Sequence, residues 1–315
     1  MNIVVTDAFA VNPGDLDWAP LRELGELVLY DRSSPESVAA RCREADIIVS
    51  NKTPLDAAAL RELPALKLVS VLATGYNVID TIAARSANVT VCNVPGYGTA
   101  SVAQHVFALL LELTNHTGRN AASVEAGDWG RSADWCYTVA PVMELEGKTL
   151  GIVGYGHIGS RVAAIGRALG MKILCCSPRL VPGSSGEAAD LATVFAGSDV
   201  VSLHCPLAVT NTAFVNRALL ATMKPRAILV NTARGGLINE PDLADALNAG
   251  VIAAAALDVL SEEPPRRPNP LLAARNCLVT PHNAWISREA RQRILLVTAD
   301  NIRSFLAGHP VNVVN

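Results

Sequence analysis

The chain has 315 residues, half of them apolar and only 17% charged, with a formal net charge of −3 and seven cysteines. That length calls for two domains rather than one small core. The near-neutral charge, without a basic stripe, points to no nucleic acid and no anionic membrane as a partner.

In chain order, MNIVVTDAF reads as a first strand and not as a secretory leader, since it lacks a basic start and a long apolar stretch. LVLY, DIIVS, KLVSVL and VTVCN continue as strands, with helices expected over Pro35–Glu44, Leu55–Leu63 and Val78–Ala87. Such alternation argues for a parallel sheet covered on both faces. Asn51–Pro54 and Val94–Gly98 are turn-rich breaks, and the second is placed to separate two domains. The helix Thr99–Leu113 is apolar on nearly every side and is expected to be buried. It is too short and too polar to span a bilayer. Arg119–Val142 shows no periodicity but carries Trp129, Arg131, Trp135 and Tyr137. It reads either as a pinned surface loop or as an arm wrapping a second copy, because Trp, Tyr and Arg favour interfaces. A homodimer built on this arm and on Thr99–Leu113 is therefore expected.

Thr149–Met171, TLGIVGYGHIGSRVAAIGRALGM, is the centre of the second half. An apolar run turns through Gly154, Gly156 and Gly159 into a pattern with helical spacing. Strand, glycine turn and helix together are the context in which G-x-G-x-x-G signals dinucleotide binding. The amides of His157, Ile158 and Gly159 then face a pyrophosphate at a helix N-terminus. Strands follow at Lys172–Cys176, Val200–His204, Ala227–Asn231 and Ile252–Asp258, with helices expected at Glu187–Phe195, Asn216–Thr222, Glu240–Asn248 and Ser287–Leu306. The expected fold class is α/β, with two doubly wound parallel-sheet domains. A flavodoxin-like substrate domain takes residues 1–98 and 290–315, and a Rossmann domain takes 99–289.

Cys42, Cys92, Cys136, Cys175, Cys176, Cys205 and Cys277 are odd in number and contain no C-x-x-C pair. Neither structural zinc nor any other metal site is expected, and the usage fits a reducing, cytoplasmic compartment. Neighbouring Cys175 and Cys176 would point to opposite faces of a strand and would not pair.

In an open parallel sheet, ligands lie beyond the carboxyl ends of the strands. Arg234 (VNTARGG), Asp258, Glu263 (LSEEPP) and His282 (TPHNAW) all fall there. Each alone reads as an ordinary loop residue, but all four together after a dinucleotide turn do not read as scatter. With VLATGYNVID, NVPGYGTASVAQHVFALLLEL, LHCPL, LVNTARGGLINE and ALDVLSEEPP in this order, the chain resembles the D-isomer-specific 2-hydroxyacid dehydrogenases, and within them the glycerate dehydrogenase/hydroxypyruvate reductase group.

The resemblance implies a catalytic trio of Arg234, Glu263 and His282. Arg234 would present a planar fork to a substrate carboxylate and keto oxygen. His282 would move the proton and Glu263 would orient it. The resemblance also implies that Ala73, Thr74 and Gly75 hold the substrate carboxylate through backbone amides. Asp258 and Ala284 would meet the nicotinamide carboxamide, with Thr232 and Ala233 lining that pocket. His204, Cys205 and Pro206 would lie on the adenosine side, with plain core as the lesser reading of His204.

An NAD enzyme of this fold ends its second strand with an acidic residue ~20 positions past the glycines. Here Ser177 occupies that place, followed by Pro178 and Arg179. This favours NADP(H) over NAD(H), since a hydroxyl and a guanidinium accept a phosphate that a carboxylate repels. The motif set favours a small 2-keto acid, hydroxypyruvate or glyoxylate, as substrate. D-lactate-type chemistry on pyruvate is the near alternative, and phosphoglycerate or formate oxidation is disfavoured. A nicotinamide-sensing binding protein of corepressor type is the reading from a different class.

Overall fold

Every ladder between the strands described below is parallel. The structure, a computed structural model, describes residues 1–178 and 186–315. It divides into two units, Met1–Gly98 with Trp285–Asn315, and Thr99–Ala284. The return to the first unit thus falls at residue 285, ahead of the position 290 expected from sequence. Arg179 lies outside the described residues.

The first unit runs β1 (Asn2–Val5), α1 (Ala19–Arg22), β2 (Glu26–Leu29), α2 (Pro35–Cys42), β3 (Ile47–Ser50), α3 (Ala57–Arg61), β4 (Leu68–Val71), α4 (Thr81–Ser86) and β5 (Thr90–Cys92). Its strand order is β2-β1-β3-β4-β5, the flavodoxin-like winding. Because side chains alternate along a strand, each central strand feeds two cores. Ile3, Val5, Ile47, Val49 and Leu68 pack on one face with Ile294, Leu295 and Ile302 of the C-terminal helix (Arg288–Leu306). Val4, Ile48, Val69 and Val71 pack on the other with Val38, Leu60 and Ala84. The segment after that helix returns along β5. Asn301 Nδ2 donates to Asn93 O and Asn312 Nδ2 to Asn301 Oδ1, both at 2.8 Å. Val314 N donates to Val91 O at 2.9 Å, and Val91 N to Asn315 Oδ1 at 2.8 Å.

The second unit runs α5 (Thr99–Asn115), α6 (Thr117–Glu125), α7 (Asp128–Arg131), β6 (Thr149–Val153), α8 (His157–Ala168), β7 (Lys172–Cys176), β8 (Glu187–Ala188), α9 (Leu191–Gly197), β9 (Val200–Leu203), α10 (Arg217–Leu220), β10 (Ile228–Asn231), α11 (Glu240–Asn248), β11 (Ala254–Leu257) and β12 (Cys277–Val279). The order β12-β11-β10-β9-β6-β7-β8 reverses direction between β6 and β9, as in a Rossmann sheet. Leu150, Ile152, Ile228, Val230 and Ala256 meet α5 and α8 on one face. Val201, Leu203, Leu229, Ala255 and Leu257 meet α9, α10 and α11 on the other.

Three expectations change. Glu187–Phe195 is not one helix: Glu187 and Ala188 pair with Leu174 and Cys175 as an edge strand, and the helix starts at Leu191. Arg119–Val142 is not wholly irregular, since it contains most of α6 and all of α7, neither of which buries a residue within the chain. Helix α5 is buried on one face only; Ala100, Gln104, Ala108 and Leu111 form an exposed stripe at helical spacing. All seven cysteines are free, and Cys175 and Cys176 pack into cores on opposite faces of β7. Among the described residues no helix is long and apolar enough to cross a membrane.

Candidate active site

At the reversal point of the second sheet, β6 runs into Gly154, whose φ is +97°. A Cβ there would lie 2.6 Å from Cys205 N and from His204 C, the chain leaving β9. Only glycine satisfies both the left-handed backbone and that approach. Two main-chain bonds close the turn, Gly154 N to Cys176 O at 2.9 Å and His204 N to Val153 O at 2.7 Å.

Helix α8 starts directly after this turn. Six other helices are capped by a side chain that accepts a first-turn amide: Asp56, Asp80, Asp190, Asn216, Asn239 and Ser287. Such a cap contributes about 0.5–2 kcal/mol. The α8 N-cap is Gly156, with no side-chain cap and no neighbouring atom within 4 Å of where its Cβ would be. The first turn of α8 therefore has no side-chain capping oxygen, and the space beside Gly156 is open, an arrangement that fits a pyrophosphate. Further along the same strand ends, Thr232 Oγ1 is buried without a hydrogen-bond partner. The residues present thus fit a dinucleotide.

Ser177 and Pro178, expected at the adenosine end, directly follow β7. His204, Cys205 and Pro206 follow β9, beside the glycine turn. His204 Nε2 lies 2.8 Å from Ser202 Oγ, and burial pushes its pKa down to about 4, so the ring is neutral at ordinary pH.

The turn carrying Arg234 is built by Asn231, a fully buried residue to which the sequence alone assigns no role. Its Oδ1 accepts Ala233 N and its Nδ2 donates to Arg234 O, both at 2.9 Å. The next residue, Gly235, packs so tightly on the Leu260 carbonyl that a side chain there would collide with backbone. This brings the Arg234 turn against the start of the Glu263 loop. Arg234 itself is exposed, and its Nη1 rests on Ala233 O at 2.7 Å.

Glu263 is held from both sides. Its Oε1 accepts Leu260 N at 2.9 Å, and its Oε2 lies 2.5 Å from His282 Nδ1. Both side chains remain about one-third exposed, at 33% and 28%. His282 has a φ of +53°, which costs a side-chain-bearing residue on the order of 1 kcal/mol.

That backbone is tied down by Asp258, which is 1% exposed. Oδ1 accepts Thr280 Oγ1 at 2.6 Å and Asn283 N at 2.9 Å, and Oδ2 accepts Ala284 N at 2.9 Å. Burial alone would raise the Asp258 carboxyl, but hydrogen bonds from His105, Thr280, Ala284 and Asn283 outweigh it and hold it below its ordinary value. Asp258 and Ala284, expected from the resemblance at the carboxamide, are here bonded to each other beneath the histidine turn.

The first unit carries the Ala73–Gly75 turn at the exit of β4. Thr74 Oγ1 donates to Val94 O at 2.9 Å, Asn93 Nδ2 to Thr74 O at 2.8 Å, and Val94 N to Ala73 O at 3.0 Å.

A dinucleotide turn and an imidazole–carboxylate pair at the carboxyl ends of one parallel sheet define a nicotinamide-dependent oxidoreductase. Comparison with known proteins makes the class specific. The model for the D-isomer specific 2-hydroxyacid dehydrogenase NAD-binding domain matches residues 107–284. The chain is 46% identical to a hydroxypyruvate reductase of Blautia hydrogenotrophica, over 100% of both chains. It is 41% identical to a glycerate dehydrogenase of Methylorubrum extorquens, over 89% of each. Among solved structures, an acyclic imino acid reductase in complex with NADPH and D-Arg superposes with a TM-score of 0.88 at 30% identity, over 100% of both chains. The chain belongs to the D-isomer specific 2-hydroxyacid dehydrogenase family.

Proposed function

We propose that this enzyme reduces hydroxypyruvate and glyoxylate, to D-glycerate and glycolate, with NADPH used in preference to NADH. The observation that carries the reading is the His282–Glu263 pair. With Nδ1 engaged by the carboxylate, Nε2 is the atom left to hold the transferable proton, and the ring cannot turn away from that task. The nicotinamide, when bound, supplies the hydride. His282 gives its proton to the oxygen as the carbonyl becomes an alkoxide and takes it back in the reverse direction. Glu263 stabilises the imidazolium while the histidine is charged. Arg234 offers two parallel N–H donors to a carboxylate, a geometry that suits a 2-keto acid better than a simple ketone. The amides of Ala73, Thr74 and Gly75 are assigned to a carboxylate in the same reading.

Ser177 supports the cofactor preference, because the position after β7 that is acidic in NAD enzymes of this fold is a serine here. The exposed stripe of α5 and the unburied α6–α7 segment support a homodimer, and the seven free cysteines support a reducing, cytoplasmic setting. The identity of 46% to a protein called hydroxypyruvate reductase supports the substrate.

The test is a panel of hydroxypyruvate, glyoxylate and pyruvate with each nicotinamide, following absorbance of the reduced form. The expected order is hydroxypyruvate and glyoxylate above pyruvate, and NADPH above NADH. If no 2-keto acid is consumed while the dinucleotide still binds, the chain is a nicotinamide-sensing binding protein and the enzymatic reading fails.

A further inference from the structure

Beneath the histidine turn lies a second imidazole to which the proposed chemistry gives no part. His105, on α5, places its Nε2 3.1 Å from Thr280 Oγ1 and 3.5 Å from Asp258 Oδ1. It is largely buried, with 21% of its side chain exposed. We infer that His105 is a positioning residue for His282, acting through Thr280 and Asp258 as a fixed hydrogen-bond donor.

The direction of the bonds follows from counting protons. An ionised carboxylate only accepts, and a threonine hydroxyl has a single proton to give. Thr280 Oγ1 is 2.6 Å from Asp258 Oδ1, so its proton is spent there. The contact between His105 Nε2 and Thr280 Oγ1 then requires the hydrogen on Nε2, which fixes the His105 tautomer. Asp258 in turn gathers a hydroxyl and two main-chain amides from positions 280, 283 and 284. His282 sits inside that span with φ at +53°, a conformation its own side chain does not favour.

Buried polar networks hold their members firmly when every group is satisfied and lose that property when one donor is removed. Taking away the His105 donor leaves the Thr280 hydroxyl and the Asp258 carboxylate short of a partner and free to move toward other donors. The 280–284 turn then loosens, and the imidazole loses register with Glu263. The ionisable groups around this turn are His105 from α5, Asp258 at the end of β11, Glu263 in the following loop, and His282 itself. His105 touches only the first layer below the histidine, so its loss is expected in the rate of proton transfer rather than in ligand affinity.

The inference rests on the proposed role of His282, and the experiment separates the two. His105→Leu removes the donor, while His105→Gln keeps an N–H at the Nε2 position. Misplacement of a catalytic group by about 1 Å can cost about 10²-fold in rate, and a partial loosening of the turn costs less. His105→Leu is thus expected to lower kcat about tenfold, with KM for hydroxypyruvate and for the dinucleotide within about twofold of the parent. His105→Gln is expected to restore most of the rate. Amide exchange at Asn283 and Ala284, measured without substrate, should quicken in the leucine variant and return to parent values in the glutamine variant. A leucine variant with parental kcat and parental exchange overturns the proposal, as does a glutamine variant impaired equally. A parent enzyme that consumes no 2-keto acid refutes the proposed function instead, and the exchange measurement still decides what His105 does to the turn.

Discussion

Glu263 binds the Leu260 amide through one oxygen and His282 Nδ1 through the other, at 2.9 and 2.5 Å. The carboxylate is therefore fixed by its own loop before it fixes the imidazole. Losing either member should be felt in the chemical step more than in binding. His282→Ala is expected to lower turnover by ~10²–10⁴-fold while leaving dinucleotide affinity near that of the parent. Glu263→Gln, which keeps a hydrogen-bonding group but no charge, should fall between parent and alanine variant. Steady-state rates and a fluorescence titration of the reduced dinucleotide check this; near-normal turnover in His282→Ala would remove the histidine from its role.

Cofactor choice should be governed by the residue at the end of β7. Ser177→Asp places a negative charge where a 2′-phosphate is expected, and like charges at hydrogen-bonding distance are unfavourable even in a partly solvated site. The ratio of kcat/KM for NADPH to that for NADH should fall by about tenfold, equivalent to roughly 1.4 kcal/mol. An unchanged ratio places the discriminator elsewhere.

His204 makes stability depend on pH. Burial lowers its pKa from 6.5 to about 4, so the folded chain keeps this ring neutral where the unfolded chain protonates it. Below about pH 6.5 the unfolded state then binds more protons, and stability is lost progressively as the pH falls toward 4. Above that window the group contributes no pH dependence. His204→Gln lacks this linkage. The difference in Tm between parent and variant should be flat at neutral pH and move against the parent by pH 5. A difference that stays flat across the range would show that the ring is solvated.

The α6–α7 segment buries nothing within the chain, and Trp129 and Trp135 are 53% and 86% exposed. Trp129 Nε1 nevertheless donates to Trp135 O at 2.8 Å, which holds the two in a defined arrangement. Light scattering should give the mass of a dimer, and the pair Trp129→Ser with Trp135→Ser should shift it toward the monomer. A monomeric parent refutes the assignment of this surface.

The parallel sheets were legible from sequence because central strands, buried on both faces, appear as short apolar runs such as DIIVS and VVSL. The edge was not: Glu187 and Ala188 are polar and small, and only their pairing with Leu174 and Cys175 makes them a strand. Helix α6 escaped notice because periodicity records a buried face, and α6 buries none inside its own chain. In the site, Arg234, Glu263 and His282 stood out through their motifs. Asn231 and His105 did not, since a buried polar side chain declares itself only by the distant groups it bonds. The role expected for Asp258 came from resemblance; its bonds to Thr280, Asn283 and Ala284 are a property of the fold.

The C-terminal helix and the asparagine clasp beyond it complete a sheet whose strands all lie within the first hundred residues. A ribosome therefore makes the whole Thr99–Ala284 unit before it makes the helix that covers one face of β1, β3 and β4. Domains usually mature in the order in which they emerge. Here the order is inverted: the dinucleotide unit is contiguous and can fold during synthesis, while the first-made strands wait with an apolar face uncovered. An apolar face left uncovered in this way is the kind of surface through which nascent chains aggregate.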